Sequence, residues 1–136
     1  MSKTLKLEIV TPEAKTYSED VEMVTLPGLE GEMGIYPGHV PLMTEVVCGE
    51  VIAKSQGGNE YLAIGNGFVE ITGDKVAVLT DMAIKADDID EEAVEKARRK
   101  AEERRGERLS EEDQASIDAV LAQAAAQLEV KRRRRK

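Results

Sequence analysis

Residues 76–101, VAVLTDMAIKADDIDEEAVEKARRKA, decide the fold, because the spacing of the apolar side chains changes within them. Up to Ala86 the apolar residues recur at every second position, which is the period of a β-strand with one buried face. From Asp87 onward the pattern is helical, with apolar residues three and four positions apart. The chain is therefore predicted to have an α+β fold, with a β domain over residues 1–86 and a helical part over residues 87–136.

Upstream of this change, the apolar residues form short series that are typical of strands. Leu5, Leu7 and Ile9 form one alternating series. Val21, Met23 and Thr25 form another inward series, which alternates with Glu22 and Val24. Further runs of strand-forming residues are 61–64, 68–71 and 76–79. Many short strands without a helix between them predict an antiparallel β-sandwich.

Glycine-rich turns separate these runs and support the same architecture. Gly73 and Asp74 lie between Thr72 and Lys75, and a two-residue loop of this type predicts a tight hairpin. The remaining turn signals are Pro27-Gly28, Pro37-Gly38, Gly57-Gly58-Asn59 and Gly65-Asn66-Gly67.

Two helices are predicted after residue 87. Asp90 is a candidate N-cap for the first helix, and Ile89 with Val94 fits a hydrophobic staple. Ser110 is placed to begin the second helix after a charged turn around Gly106. The predicted apolar stripe of the first helix is Ala93, Val94, Ala97 and Ala101, and that of the second is Ile117, Val120, Leu121, Ala124 and Leu128. Two helices joined by a short turn predict an antiparallel hairpin.

This hairpin has few large apolar side chains for its length. Full burial of each such side chain contributes about 1.5–3 kcal/mol, whereas ordering costs roughly 1.5 kcal/mol per residue. The hairpin therefore cannot be stable alone, and an alanine-rich contact face predicts an element that can detach from its support.

Charge is distributed unevenly along the chain. Residues 1–130 carry 13 basic against 27 acidic side chains, while Lys131–Lys136 consists of six basic residues. The acidic body argues against binding of nucleic acid. The basic tail could bind phosphate, lipid head groups or an acidic protein patch, but charge alone favours its interpretation as a solubilising, disordered end.

The sequence contains little that could support catalysis. His39 is the only histidine and Cys48 the only cysteine, so no metal cluster built on these residue types is expected. A phosphate-binding P-loop and a dinucleotide fingerprint are both missing, and the many carboxylates fit a solvated surface. We therefore expect neither an active site nor a cofactor.

The most specific motif lies in residues 27–44, PGLEGEMGIYPGHVPLMT, which has no strand periodicity. Composition alone leaves two interpretations open, a shaped contact surface and a structural corner. Residues 30–42 resemble the GxxGIxPxHxP segment of ATP synthase epsilon subunits. Residues 7–13, 65–70, 76–81 and 89–103 are also similar to that family, so the resemblance covers nearly the whole chain in order.

The resemblance implies a non-catalytic rotor subunit of an F-type ATP synthase. In that family the sandwich packs on the gamma subunit and rests against the ring of c subunits. The segment facing the ring corresponds here to Glu30, Glu32 and His39, which become candidate ring contacts. Association with the membrane is then expected only through the complex.

The helical hairpin is the regulatory part of this family. When extended, it reaches into the alpha/beta catalytic hexamer, where basic residues meet an acidic segment of the beta subunit and oppose hydrolysis. The matching candidates here are Arg98, Arg99, Arg104, Arg105 and Arg108, together with the basic tail.

One family motif is incomplete. Some members bind ATP through an [IL]DxxRA motif, which begins here at Ile89-Asp90 but has Ala93 in place of the arginine and Val94 in place of the alanine. Residues 110–129 also contain no Lys or Arg, so little or no ATP binding is predicted.

A second hypothesis is a free-standing β-sandwich adaptor whose hairpin binds an unrelated protein. It predicts no affinity for a gamma subunit. Because no signal or transit peptide is visible, the epsilon-type hypothesis places the protein at the cytoplasmic face of a bacterial plasma membrane, or at the stromal thylakoid face if the chain is chloroplast-encoded.

Overall fold

The computed structural model describes residues 3–134, with strands first and helices last. The strands are β1 (Leu5–Val10), β2 (Lys15–Val21), β3 (Met23–Gly28), β4 (Gly31–Ile35), β5 (Leu42–Val46), β6 (Gly49–Ser55), β7 (Gly58–Ile64), β8 (Gly67–Thr72), β9 (Lys75–Thr80) and β10 (Ala83–Lys85). A 3-10 turn at Ala86–Asp88 leads to helices α1 (Glu91–Arg105) and α2 (Glu111–Arg134). This order confirms the predicted fold class.

The strands form one sheet in the order β10-β7-β6-β3-β5-β8-β9-β1-β2, with β4 paired to β3. The predicted hairpin at Gly73-Asp74 is confirmed, since β8 and β9 pair through Thr72 and Lys75. Gly73 has φ 56°, in the left-handed region that glycine adopts without strain. Strand β1 pairs parallel to β9, a departure from a purely antiparallel sheet. The sequence could not indicate this pair, because its two strands lie at opposite ends of the β part.

The sheet folds over so that its inner faces enclose one aliphatic core. Leu5, Leu7 and Ile9 are fully buried in it, as their alternation predicted. The prediction that Val21 and Met23 share one inward series was wrong. Strand β2 ends at Val21 and β3 begins at Met23. The alternation of inward and outward residues therefore shifts by one position between the two strands, and Val24 is buried instead of Met23.

The two helices lie side by side and antiparallel. Gly106 caps the C-terminus of α1 with helical dihedral angles, and the chain turns there toward α2. At the end of the helical hairpin next to the turn, Arg105 pairs with Asp118 at 3.8 Å. At the opposite end of the hairpin, Arg132 pairs with Glu91 at 3.7 Å. The helical hairpin is thereby confirmed.

Candidate functional site

The glycine-proline segment contains a strand that the sequence did not predict. Strand β4 pairs with β3 so that Gly28 faces Gly31 and Val24 faces Ile35. Gly31 has φ 125°, which favours glycine and lets the chain reverse directly after Glu30. Glu30 lies in this turn and Glu32 in the strand behind it, and both side chains are exposed.

His39 lies beyond the other end of β4, so the structure does not group it with Glu30 and Glu32. Its Nδ1 is 2.7 Å from the carbonyl oxygen of Val40. The amide of the preceding Gly38 donates to Asp74 at 3.1 Å, which ties this loop to the β8–β9 turn. The five residues of β4 separate the two positions by roughly 15 Å of extended chain.

An apolar patch formed by Met43, Phe68 and Leu79 lies on the outer face of β5, β8 and β9, beside the exposed Glu45 and Glu70 of the same face. Phe68 and Leu79 are cross-strand partners, with 54% and 53% of their surface exposed. Met43 belongs to the same face, because Glu45, two residues along β5, pairs with Phe68. Neighbouring exposed apolar side chains on one sheet face are typical of a protein contact surface.

Both helices begin at the residues that the sequence indicated. The Asp90 side chain accepts a hydrogen bond from the Ala93 amide at 3.2 Å, and Ser110 accepts one from the Asp113 amide at 3.1 Å. Val94 packs against the buried cluster that contains Ile89, as a hydrophobic staple requires. These signals were visible because capping depends on residues only a few positions apart.

The inward faces of the helices differ from the predicted stripes. On α1, Ala93 and Ala97 are exposed, Val94 and Arg98 are half-buried, and Ala101 is buried. On α2, Ile117, Ala124 and Leu128 are buried as predicted, but Val120 is 42% exposed, and Ala126 and Val130 are buried instead. Alanine and valine fit either face of a helix, so the sequence did not distinguish them.

The hairpin contacts the sandwich through a small apolar cluster. Ala63 of β7, Ala86, Ile89 and Val130 of α2 are buried together. The half-buried side chains of Tyr61, Met82, Ile84 and Val94 surround them. This cluster is separate from the main core, so the sandwich and the hairpin do not share one continuous interior.

The interpretation of the basic tail as disordered was wrong for the residues that the structure describes. Helix α2 continues through Arg134, and only positions 135 and 136 of the tail lie outside the described residues. Arg133 and Arg134 bind Glu50 of β6, and Arg132 binds Glu95 of α1. Charge counting missed this order because the acidic partners lie far away in the sequence.

The five predicted inhibitory arginines are unequally engaged within the hairpin. Arg98 pairs with Glu95 at 2.8 Å and Arg105 with Asp118 at 3.8 Å. Arg99, Arg104 and Arg108 are exposed. Hydrogen bonds from Arg132 and Arg98 hold the pKa of Glu95 below its usual value, so this carboxylate stays ionised between the two helices.

No group of metal-ligating side chains is found within residues 3–134. The helices in this part of the chain are all too short or too polar to span a membrane. Ala93, at the position of the motif arginine, is an exposed residue of the first turn of α1.

Comparisons with known proteins agree with this architecture. The family model for the ATP synthase Delta/Epsilon chain, beta-sandwich domain, matches residues 4–86. The ATP synthase epsilon chains of two strains of Nitratidesulfovibrio vulgaris, DP4 and Hildenborough, are 37% identical over 131 residues. That match covers 96% of this chain and 98% of each relative.

Two solved structures have a similar fold. A chain in the mitochondrial ATP synthase of Euglena gracilis, a structure of OSCP, F1 and c-ring, has a TM-score of 0.74 at 23% identity, covering 93% of this chain and 79% of that one. A chain in the central stalk and c-ring structure from Tetrahymena thermophila has a TM-score of 0.58 at 8% identity, covering 96% and 98%.

Proposed function

This chain belongs to the family of ATP synthase epsilon chains, and from that premise we propose that its sandwich couples rotation while its hairpin restrains ATP hydrolysis. It is a stalk subunit of an F-type ATP synthase, a role that requires no active site of its own. The observation that supports a regulatory hairpin is its small attachment surface. A helical pair held by one satellite cluster and a few ion pairs at its end can exchange between two positions when modest contacts change.

The gamma subunit is the proposed partner of the apolar patch formed by Met43, Phe68 and Leu79. A rotor subunit must stay attached while torque is applied, and burial of large apolar side chains supplies non-directional adhesion. The patch lies on the sheet face away from the core, so contact there leaves the sandwich fold unchanged.

The c-ring is the proposed partner of Glu30 and Glu32 at the β3–β4 turn. Exposed carboxylates can accept hydrogen bonds from polar loops of a ring and resist slipping. His39 remains a candidate contact, but it would have to touch a different part of the complex surface from the one that Glu30 touches.

The alpha/beta hexamer is the proposed target of the arginines on and after α1. Arg99, Arg104 and Arg108 are exposed while the hairpin is docked, whereas Arg98 and Arg105 would have to exchange their carboxylate partners on extension. This exchange keeps the cost of extension low, since an acidic segment of the partner replaces the internal carboxylates.

The protein is part of a membrane-associated complex, and we place it at the cytoplasmic face of the bacterial plasma membrane. Contact with the membrane then arises through the ring. We propose further that ATP is not a ligand of the hairpin, because Ala93 provides no cation. Protection of the hairpin from protease by millimolar ATP would contradict that proposal.

The proposed function is tested by ATPase activity of a reconstituted catalytic complex. The full chain is compared with a chain ending at Asp90, which retains the buried Ile89, and with a full chain carrying Glu at positions 98, 99, 104, 105 and 108. We expect inhibition by the full chain and its loss in the other two proteins, while all three still bind. If all three proteins bind but none of them inhibits ATP hydrolysis, the regulatory part of the proposal is refuted. Failure of all three to bind a gamma-containing complex refutes the coupling role and favours the adaptor hypothesis.

A further inference from the structure

We propose that the last turn of α2 is an ionic latch, in which Arg133 and Arg134 bind Glu50 of β6 and hold the hairpin against the sandwich. Its regulatory meaning rests on the proposed function, since a latched hairpin would be the non-inhibitory form. The latch itself is a property of the isolated chain and can be tested there.

Glu50 is the centre of this contact. Its side chain is only 8% exposed and accepts hydrogen bonds from two arginines. Arg134 binds both carboxylate oxygens, with Nε at 2.9 Å from one and Nη2 at 2.8 Å from the other. Arg133 donates a further bond of 3.0 Å. Charge-assisted bonds in a two-pronged arrangement are among the strongest and most directional polar contacts in proteins.

Arg134 is also held by an aromatic ring. Its guanidinium lies 3.8 Å from the centroid of the Tyr61 ring, on the strand next to Glu50. The hydrogen bond and charge of Glu50 raise the pKa of the Arg134 guanidinium, so the contact is stable in its charged form. Stacking and a bidentate carboxylate together fix the plane of the guanidinium, which a lysine could not reproduce.

The neighbouring cations extend the contact to the rest of the hairpin. Arg132 donates to Glu95 of α1 at 2.6 Å, and Lys131 donates to the carbonyl oxygen of Ala86 at 3.1 Å. Successive helical residues point in different directions, about 100° apart. One helical turn therefore reaches the sandwich, the first helix and the connecting turn at the same time.

Directly beside the latch, part of α2 is not packed tightly against the sandwich. A groove of about 330 Å³ lies between them, lined on the helix side by Ala122, Ala125 and Ala126. Cys48 and Gly49 line the sandwich side. Because these small side chains leave space, the part of α2 that lines the groove adds little adhesion, and docking there depends on the adjoining Val130 cluster and the latch.

Cys48 provides a native reporter of the latch. It is the only cysteine of the chain and lies in the groove beneath α2. Burial raises the pKa of its thiol, and the charge of Asp81 adds to that shift, so the docked form should react slowly with alkylating reagents. Release of the hairpin opens the groove and exposes the thiol to solvent.

The test measures the rate at which neutral iodoacetamide alkylates Cys48 in the full-length protein, with a small thiol as the reference for reagent chemistry. Glu50→Gln is compared with Glu129→Gln. Both carboxylates bind Arg133, but Glu129 lies on α2 itself and makes no link to the sandwich. Circular dichroism confirms that each variant is folded.

We expect Glu50→Gln to raise the alkylation rate about tenfold, because it removes the buried carboxylate from a partly exposed ionic network. We expect Glu129→Gln to leave the rate within about twofold. Equal rates in the two variants would overturn the latch. A second measurement needs no variant: because Arg133 is 45% exposed, about 1 M salt should raise the wild-type rate as well. A similar salt effect in Glu50→Gln would also refute the proposal.

These outcomes are separable from the proposed function. If the alkylation test refutes the latch in the isolated chain, the ATPase measurement on the complex is unaffected and still tests the proposed function. If the latch is confirmed and Glu50→Gln does not increase inhibition of ATPase activity, the latch stands and the regulatory role of the hairpin is wrong.

Discussion

Replacing Val130 by alanine is expected to loosen the hairpin without unfolding the sandwich. Val130 is 2% exposed and belongs to the satellite cluster with Ala63, Ala86 and Ile89. The substitution removes two methyl groups, each worth about 0.8 kcal/mol of transfer free energy. The cavity that remains brings the loss to about 2 kcal/mol, and the better helix propensity of alanine returns about 0.5 kcal/mol. The net change of about 1.5 kcal/mol corresponds to roughly tenfold more released hairpin.

Val120→Ala is the matched control, because it makes the same substitution in the same helix. Val120 is 42% exposed, so the smaller transfer loss is largely offset by the gain in helix propensity. The difference between the two variants isolates the contribution of burial.

Amide hydrogen exchange of α2, followed by nuclear magnetic resonance, measures the opening equilibrium of each variant. We expect about tenfold faster exchange in Val130→Ala than in Val120→Ala, with slow exchange in β1 and β9 unchanged in both. Equal exchange in the two variants, or faster exchange in Val120→Ala, would refute the assignment of the docking face.

Three further predictions concern the sandwich and the helix cap. Gly67→Ala should destabilise the protein by about 3 kcal/mol, because a Cβ there would overlap the backbone carbonyl oxygen of Leu79 in β9; an unchanged urea midpoint would contradict this. Asp90→Ala should cost the hairpin about 1 kcal/mol by removing its N-cap, and thermal unfolding followed at the helical circular dichroism band, with Asp88→Ala as control, measures the loss. Burial and the nearby Glu60 raise the pKa of Tyr17. The folded state therefore keeps a proton that the unfolded chain loses at about pH 10, and the free energy of unfolding should fall above that pH. The urea midpoint of the wild type should fall above that pH, while the midpoint of Tyr17→Phe should fall less. If the two midpoints change in parallel with pH, ionisation of Tyr17 is not the cause.

The sequence was most informative where neighbouring residues interact. Alternation at Leu5, Leu7 and Ile9 indicated buried strand positions, and the Gly73-Asp74 turn indicated its hairpin, as the structure confirms. Asp90 and Ser110 identified the helix starts because a cap and its amide lie three residues apart. The fold class and the helical hairpin followed from these local rules. The resemblance of the glycine-proline segment indicated the family, which composition alone could not do.

The candidate site depended on contacts between distant segments, which local rules cannot predict. Burial of Val130 in place of Val120 is decided by the rotation of α2 on the sandwich, since valine alone fits both positions. The separation of Glu30 from His39 is decided by strand β4 between them. The sequence by itself therefore determined the clearly alternating strands, the helix caps and the acidic and basic composition of this protein. Only the tertiary structure decided that the basic tail is ordered, because its partner Glu50 lies 83 and 84 residues away and an ion pair forms only where the fold brings both charges together.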